Sequence, residues 1–240
     1  MCGRYTITNP EALRGLIRWI CEGADIWREE AARWNVHPED MMALVCRSED
    51  ASFSVQQMRW GLVPFWEKSA RPKVAPINAR SVEAFSNPFF RQSIQKRRCL
   101  VPADGFYEWP KLEKPGKAPR HANYYTLADR RPFFFAGIFE HSVEGLRPGT
   151  FTFFTTAPNE LLLELPHERM PVILEADRAR EWIRPGPIAE ADFLCLCSPF
   201  PAEQMSTWKV GTRVNKPQNE GPECMAPLGP EQTEQSDFNF

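Results

Sequence analysis

A chain of 240 residues that is 42% hydrophobic can build one full-sized core, and on size alone roughly 70% of its unfolded surface is expected to be buried. The 29 basic and 31 acidic residues leave a net charge of −2, which excludes a polybasic binder but leaves room for a local basic groove. Twenty-three prolines, with no proline-free interval longer than that between Pro10 and Pro38, exclude helical repeats, coiled coils and long bundles.

The opening MCGRYTITNP carries no basic-plus-apolar leader, and no run approaches the ~18 apolar residues of a membrane span. The expectation is a soluble, intracellular protein with no membrane partner. Seven cysteines without a CxxC pair are expected to be free thiols, and four isolated histidines give no metal-ligand spacing, so no metal site is expected.

In chain order, Leu13, Leu16, Ile17 and Ile20 recur at helical spacing and predict an amphipathic helix over 11–22. Two apolar runs, 41–48 and 51–61, form a predicted β-hairpin that ends in the aromatic turn RWGLVPFW. Asn87-Pro88 starts a second predicted helix, NPFFRQSIQKRR, with proline in its first turn. Strand-prone runs follow at 98–109, 122–128, 131–140 and 149–157, with a polar Pro/Gly loop over 111–122. RMPVILE is a further strand candidate, EADRAREWIR a short helix, and TWKVGTRVN a last strand. These elements predict one α+β domain over 1–226, dominated by antiparallel strands, and a disordered polar tail over 227–240.

Cys2 is the first position with chemistry. Removal of Met1 leaves a 1,2-aminothiol, an amine of pKa about 7.7–8.0 beside a thiol of pKa about 8.5. Such a pair attacks an aldehyde through nitrogen and closes a five-membered thiazolidine through sulfur, the second step being intramolecular. The alternative is an ordinary second residue.

Glu108 sits among Phe106, Tyr107 and Trp109, where burial raises a carboxyl pKa and suits it to acid–base work; a solvated turn glutamate is the other reading. Asn78 and Arg80, in PINARS, offer an amide for a reacting oxygen and a fork for phosphate, or a turn and a surface charge. His167, in LPHERMP, stands two residues from Arg169 as a proton donor beside an anion ligand, or as a loop histidine. Trp60, Phe65 and Trp66 alternate with Arg59, Lys68, Arg71 and Lys73, and RQSIQKRR adds four cations. Rings that stack on unpaired bases and cations that meet phosphates suit single-stranded nucleic acid; a packed aromatic core with solvated rims also accounts for the pattern.

In sequence order, MCGRY, RWNV-P, RWGLVPFW, INARS, RRCLVPADGFYEW, FTTAPN, HERMPVIL and the final W-V-RVN resemble the SRAP family of SOS response-associated peptidase-like proteins. The resemblance covers roughly residues 1–228. It implies a single, mostly antiparallel β domain with a barrel-like sheet, short flanking helices and a positively charged cleft for single-stranded DNA. The implied activity is covalent capture of an abasic site by Cys2, with Met1 self-removal and minor strand cleavage through the same site, and without a cofactor.

By matching motif positions the resemblance gives Asn78 the orienting of amine and sugar oxygen. Glu108 takes acid–base steps, and His167 helps to open the sugar ring and to protonate the leaving group on reversal. Arg4, Arg80 and Arg169 hold phosphates, Phe65 and Trp66 wedge or stack at a bend in the strand, and Pro38 and Thr156 line the cleft. Departures from the family pattern fall at His37, Phe65, Glu83 and Lys209. A monomer is expected, with abasic single-stranded DNA as partner. Two other classes remain open: a cysteine amidohydrolase acting in trans, and a non-catalytic binder of modified DNA.

Overall fold

The computed structural model describes residues 2–27, 31–48, 50–69, 72–110, 120–165 and 167–229. The chain runs β1 (Arg4–Ile7), α1 (Pro10–Ile20), β2 (Arg33–Val36), β3 (Met41–Arg47), β4 (Phe53–Trp60), β5 (Asn78–Arg80), α2 (Ser81–Ala84) and α3 (Pro88–Lys96). It continues through β6 (Arg98–Ala103), β7 (Gly105–Glu108), β8 (Asn123–Leu127), β9 (Phe133–Glu140), β10 (Thr150–Thr156) and α4 (Glu160–Leu163). Then follow β11 (Met170–Pro171), β12 (Ile173–Leu174), α5 (Ala176–Trp182), α6 (Glu190–Leu196) and β13 (Met205–Lys209). No described helix is long and apolar enough to cross a membrane, and all seven cysteines are free.

The two predicted helices at Asn-Pro steps form for the expected reason. Asn9 Oδ1 accepts from the Ala12 N–H at 3.0 Å, Asn87 Oδ1 accepts from the Phe89 N–H at 2.9 Å, and each proline fills the first turn, where no N–H is needed. The predicted hairpin is β3–β4, in continuous register from Met41 opposite Arg59 to Arg47 opposite Phe53.

Two sheets divide the strands. One has the order β13-β8-β7-β1-β2 and is antiparallel throughout. In the other, β10 pairs with β4 and β9, β4 with β3, β3 with β6, and β6 with β9, so five strands close on themselves as a barrel and leave no free edge among them. Its pairings are antiparallel except for β10–β4 and β10–β5, which are parallel. Tyr5, Trp60, Phe135 and Phe153 are buried and pack against one another, Phe135 and Phe153 stacked with centroids 4.6 Å apart.

The predicted single strand over 98–109 is two strands, β6 in the barrel and β7 in the other sheet. The break falls at Asp104. Its carboxylate accepts from Thr6 Oγ1 at 2.5 Å, Thr8 Oγ1 at 2.8 Å and the Asn9 N–H at 3.0 Å, and also from the Thr8 N–H, which stitches the turn to the end of β1. Gly105 permits the crossing, since a Cβ there would stand 2.0 Å from Tyr124 Oη.

RMPVILE likewise divides, β11 pairing with β10 and β12 with β9. The last predicted strand stops at Lys209, and Thr212–Asn215 coil into a 3₁₀ turn. Pro227 bridges to Val210 and the Leu228 N–H reaches the Lys209 carbonyl at 2.9 Å; of the predicted polar tail, residues 230–240 lie outside the described residues, as do 111–119 of the predicted loop.

Candidate active site

Strand pairing brings the sequence-distant candidates together. In the β1–β7 ladder Arg4 lies opposite Tyr107 and Thr6 opposite Gly105; the same register, continued, sets Gly3 level with Glu108, so Cys2 enters beside that carboxyl. Cys2 is 1% exposed, and its Sγ donates weakly to the Arg4 carbonyl at 3.5 Å. Burial pushes the thiol well above its ordinary range, and the nearby Glu108 charge adds to the effect. The sulfur is therefore held as a thiol.

Glu108 is 2% exposed at the end of β7, and burial raises its carboxyl pKa. His167 approaches from the segment before β11, with Nδ1 3.9 Å from Glu108 Oε2. Burial drives its pKa down to about 4, so the imidazole is neutral at pH 7. Its Nε2 is buried without a hydrogen-bond partner among the described residues. Asn78 begins β5, opposite Phe153. Its Nδ2 donates to the Ile77 carbonyl at 2.9 Å, while Oδ1 is buried and unpartnered among the described residues. A buried polar atom without a partner is costly to maintain, and a site that meets its partner only in a bound ligand has this appearance.

Two arginines flank β10 on opposite sides. Arg80 lies opposite Thr155 in the β10–β5 ladder, and Met170, next to Arg169, lies opposite Thr156 in the β10–β11 ladder. Together with Thr156 and Glu168 they border a pocket of about 260 Å³. Burial and the Arg80 charge both lower the Arg169 pKa, as expected of two cations converging on one space. Glu83, which follows Arg80 by three residues, pairs with it at 3.1 Å.

Pro38 lines a separate cleft of about 520 Å³ with Arg59, Trp60 and Ile77. Phe65 and Trp66 are 55% and 47% exposed, centroids 5.0 Å apart and planes near perpendicular, with Trp66 edge-on to Phe89 at 6.0 Å. Trp60, in contrast, is wholly buried and belongs to the core. Arg71 lies outside the described residues. Arg4 Nη1 donates to Asn35 Oδ1 at 2.7 Å and to the Val214 carbonyl at 2.8 Å, so part of its donor set ties β1 to β2 and the C-terminal turn.

Sequence reasoning missed the residues that hold these parts in place. Arg147 is buried and donates to the carbonyls of Glu67 (2.6 Å) and Pro64 (3.0 Å), clamping the turn that carries Phe65 and Trp66. Asn35 receives Arg4 and donates to the carbonyls of Lys216 and Asn219 at 3.0 and 2.8 Å. Arg147 stands in no motif, and Asn35, although part of RWNV-P, had no role that its neighbours in sequence could show. Of the cations in RQSIQKRR, expected on a helix to meet phosphates or to form a solvated rim, Arg98 instead opens β6, is buried and donates to the carbonyls of Ile94, Trp182, Arg184 and Gly186.

The geometry has counterparts in known proteins. The "abasic site processing protein YoqW" of Bacillus subtilis is 33% identical over 232 residues, covering 94% of this chain and 99% of its own. The "abasic site processing protein YedK" of Escherichia coli is 30% identical over 232 residues, covering 95% and 100%. A crystal structure of a Bacteroides thetaiotaomicron protein superposes with a TM-score of 0.73 at 25% identity, covering 95% of this chain and all of that one. The profile of the SOS response associated peptidase family matches residues 1–217. The chain therefore belongs to the SOS response associated peptidase (SRAP) family.

Proposed function

We propose that the protein binds single-stranded DNA and captures abasic sites covalently through Cys2 after loss of Met1. The observation that carries this reading is the burial of Cys2 with Glu108 and His167, with Arg169 close enough for its charge to act on Glu108 and sharing a pocket with Arg80. Relatives at 30–33% identity over nearly the whole chain bear the name abasic site processing protein, which supports the same substrate.

The ring-opened deoxyribose of an abasic site presents an aldehyde. The Cys2 amine adds to its carbon, the carbinolamine loses water as an imine, and Sγ then adds to the imine carbon while the thiol proton passes to nitrogen. The product is a thiazolidine; one water leaves and nothing is oxidised or reduced. Glu108, with its raised pKa, supplies the proton that expels water and takes it back on reversal. His167 is neutral at pH 7, so in the forward steps it acts as an acceptor or a hydrogen-bond donor to the sugar hydroxyl rather than as a standing acid.

Asn78 Oδ1 accepts from the amine, and Arg80 and Arg169 hold the flanking phosphates. Arg4 contributes its remaining donors, while Pro38 and Thr156 line the strand's path and Phe65 and Trp66 wedge it. Removal of Met1 is a hydrolysis of the Met1–Cys2 bond in the same enclosure, and β-elimination from the imine gives a minor strand cleavage.

Intact-mass spectrometry before and after incubation with single-stranded DNA carrying one abasic site tests the proposal. The expected result is a Met1-free protein that gains the DNA mass, stable to denaturation, and a Cys2→Ala protein that does not. A Met1-free protein that forms no adduct overturns it in favour of a cysteine hydrolase or a non-covalent binder.

A further inference from the structure

We propose that a basic pocket at the C-terminal end of α3 binds a backbone phosphate of the DNA strand beyond the Phe65–Trp66 wedge. The inference rests on the single-strand reading above and extends it to a contact outside the abasic-site pocket.

The pocket has a volume of about 270 Å³ and is lined by Arg47, Ser54, Gln56, Lys96, Arg97 and His141, with no acidic side chain in its wall among the described residues; Ser48, which also lines it, donates to the Asp50 carboxylate at 2.5 Å. Arg97 is the only one of its three Lys/Arg cations with an ion pair among the described residues. It meets Glu140 at 2.8 Å, and Ser93 Oγ donates to the same Glu140 oxygen at 2.5 Å. Arg47 Nε donates to the Ala51 carbonyl at 3.1 Å, and its guanidinium lies 4.6 Å over the Phe53 ring, which leaves both Nη groups without a partner among the described residues. Lys96 is exposed and makes no ion pair among the described residues. Two cations without an ion pair among the described residues, around a concavity with hydroxyl and amide donors, suit a singly charged tetrahedral oxyanion such as a phosphodiester.

Position selects the strand as the source of that phosphate. Phe89 and Lys96 are seven residues apart on α3 and so lie on one face, two turns and about 10 Å apart along the axis. Phe89 is the ring against which Trp66 packs edge-on. The same helix face thus leads from the exposed wedge to the pocket, a distance of about three steps of a stacked strand at ~3.4 Å each. The pocket lies at the Arg47 end of the β3–β4 hairpin, and Arg59 and Trp60, at its other end, line the cleft that holds Pro38.

Filter binding over a salt series tests the assignment. The full-length protein and its Lys96→Glu and Arg47→Gln variants are titrated with abasic-analogue strands of two kinds. One extends about ten nucleotides on both sides of the lesion analogue, and the other only about two. The expected result is that each variant binds the long strand about fivefold to tenfold more weakly near 50 mM salt, with the salt slope reduced by about 0.7, while short-strand binding is unchanged.

Equal weakening on long and short strands overturns the assignment in favour of a general field effect, and unchanged long-strand binding overturns it outright. Titration with inorganic phosphate separates the remaining source. Saturable binding of free phosphate that is lost in Lys96→Glu, with no long-strand effect, assigns the pocket to a small anion and overturns the strand contact. If neither strand binds even the unsubstituted protein, the single-strand reading itself fails and takes this one with it.

Discussion

Glu108 Oε2 and His167 Nδ1 lie 3.9 Å apart although Glu108 ends β7 in one sheet and His167 stands in the segment that leads into β11 of the other. Both are nearly inaccessible, and burial moves them in opposite directions, the carboxyl up and the imidazole down. Burial works against the charged form of each, so the pair is not a fixed ion pair, and under the proposed function it offers Cys2 a proton donor and a proton acceptor. Replacing Glu108 with Gln keeps the shape and removes the transferable proton. Adduct formation is then expected to slow by about a hundredfold or more, with equilibrium binding of undamaged single strands within about twofold. Quenched time courses on an abasic strand, beside fluorescence-anisotropy titrations, separate the two effects.

His167 links the site to stability at low pH. Its pKa is about 4 in the folded chain and about 6.5 when unfolded, so protonation favours the unfolded state. The contribution is complete above pH 6.5 and is lost as pH falls from there to about 4. Thermal melts across this window should decline less steeply for His167→Gln than for the unsubstituted protein. Parallel curves would show that the imidazole does not carry the linkage.

Cys2→Ser retains the amine and removes the sulfur. Borohydride is expected to trap an imine adduct with this variant, whereas the adduct that survives denaturation without reduction should fall by about a hundredfold, because ring closure through sulfur is the step that fixes it. Mass spectrometry with and without the reductant reads both species.

Arg80 and Arg169 converge on one pocket, where burial and then the Arg80 charge lower the Arg169 pKa. Each change to Ala should weaken strand binding by about tenfold near 50 mM salt and lower the salt slope by about 0.7. The same losses for strands of unrelated sequence are expected, since phosphates carry no sequence information. A slope that stays constant argues for a contact to the sugar or base instead.

Gly105→Ala tests the crossing between sheets. A methyl group there would overlap Tyr124 Oη, which also hydrogen-bonds Thr6 Oγ1 at 2.8 Å, so β7 and β8 would have to separate. A loss of about 3 kcal/mol in urea unfolding is expected. Arg147→Ala should act differently, since it frees the carbonyls of Pro64 and Glu67 beneath the exposed rings. A stability loss of about 2 kcal/mol is expected, and weaker strand binding with it, because the wedge loses its fixed orientation.

Local chemistry made several parts legible in the sequence. Asn9-Pro10 and Asn87-Pro88 start helices because a side-chain acceptor and a preset φ act within one turn of chain. The β3–β4 hairpin follows from two apolar runs separated by a few polar residues. The motifs around Cys2, Asn78, Glu108 and His167 were visible as an ordered set of residue types.

What the sequence alone left open depended on partners far along the chain. One apolar run became β6 and β7 because Asp104 binds Thr6, Thr8 and Asn9, and RMPVILE was shared between β10 and β9 because the barrel has a strand on either side of it. Arg98 and Arg97, adjacent in a basic motif, met a cage of carbonyls and a buried glutamate, while Lys96 remained free of both. Residue type and short spacing set the local elements and the available chemistry. Strand register and burial, which arise only when distant segments pair, determined which charges are structural, which pKa values move, and which side chains share the space around Cys2.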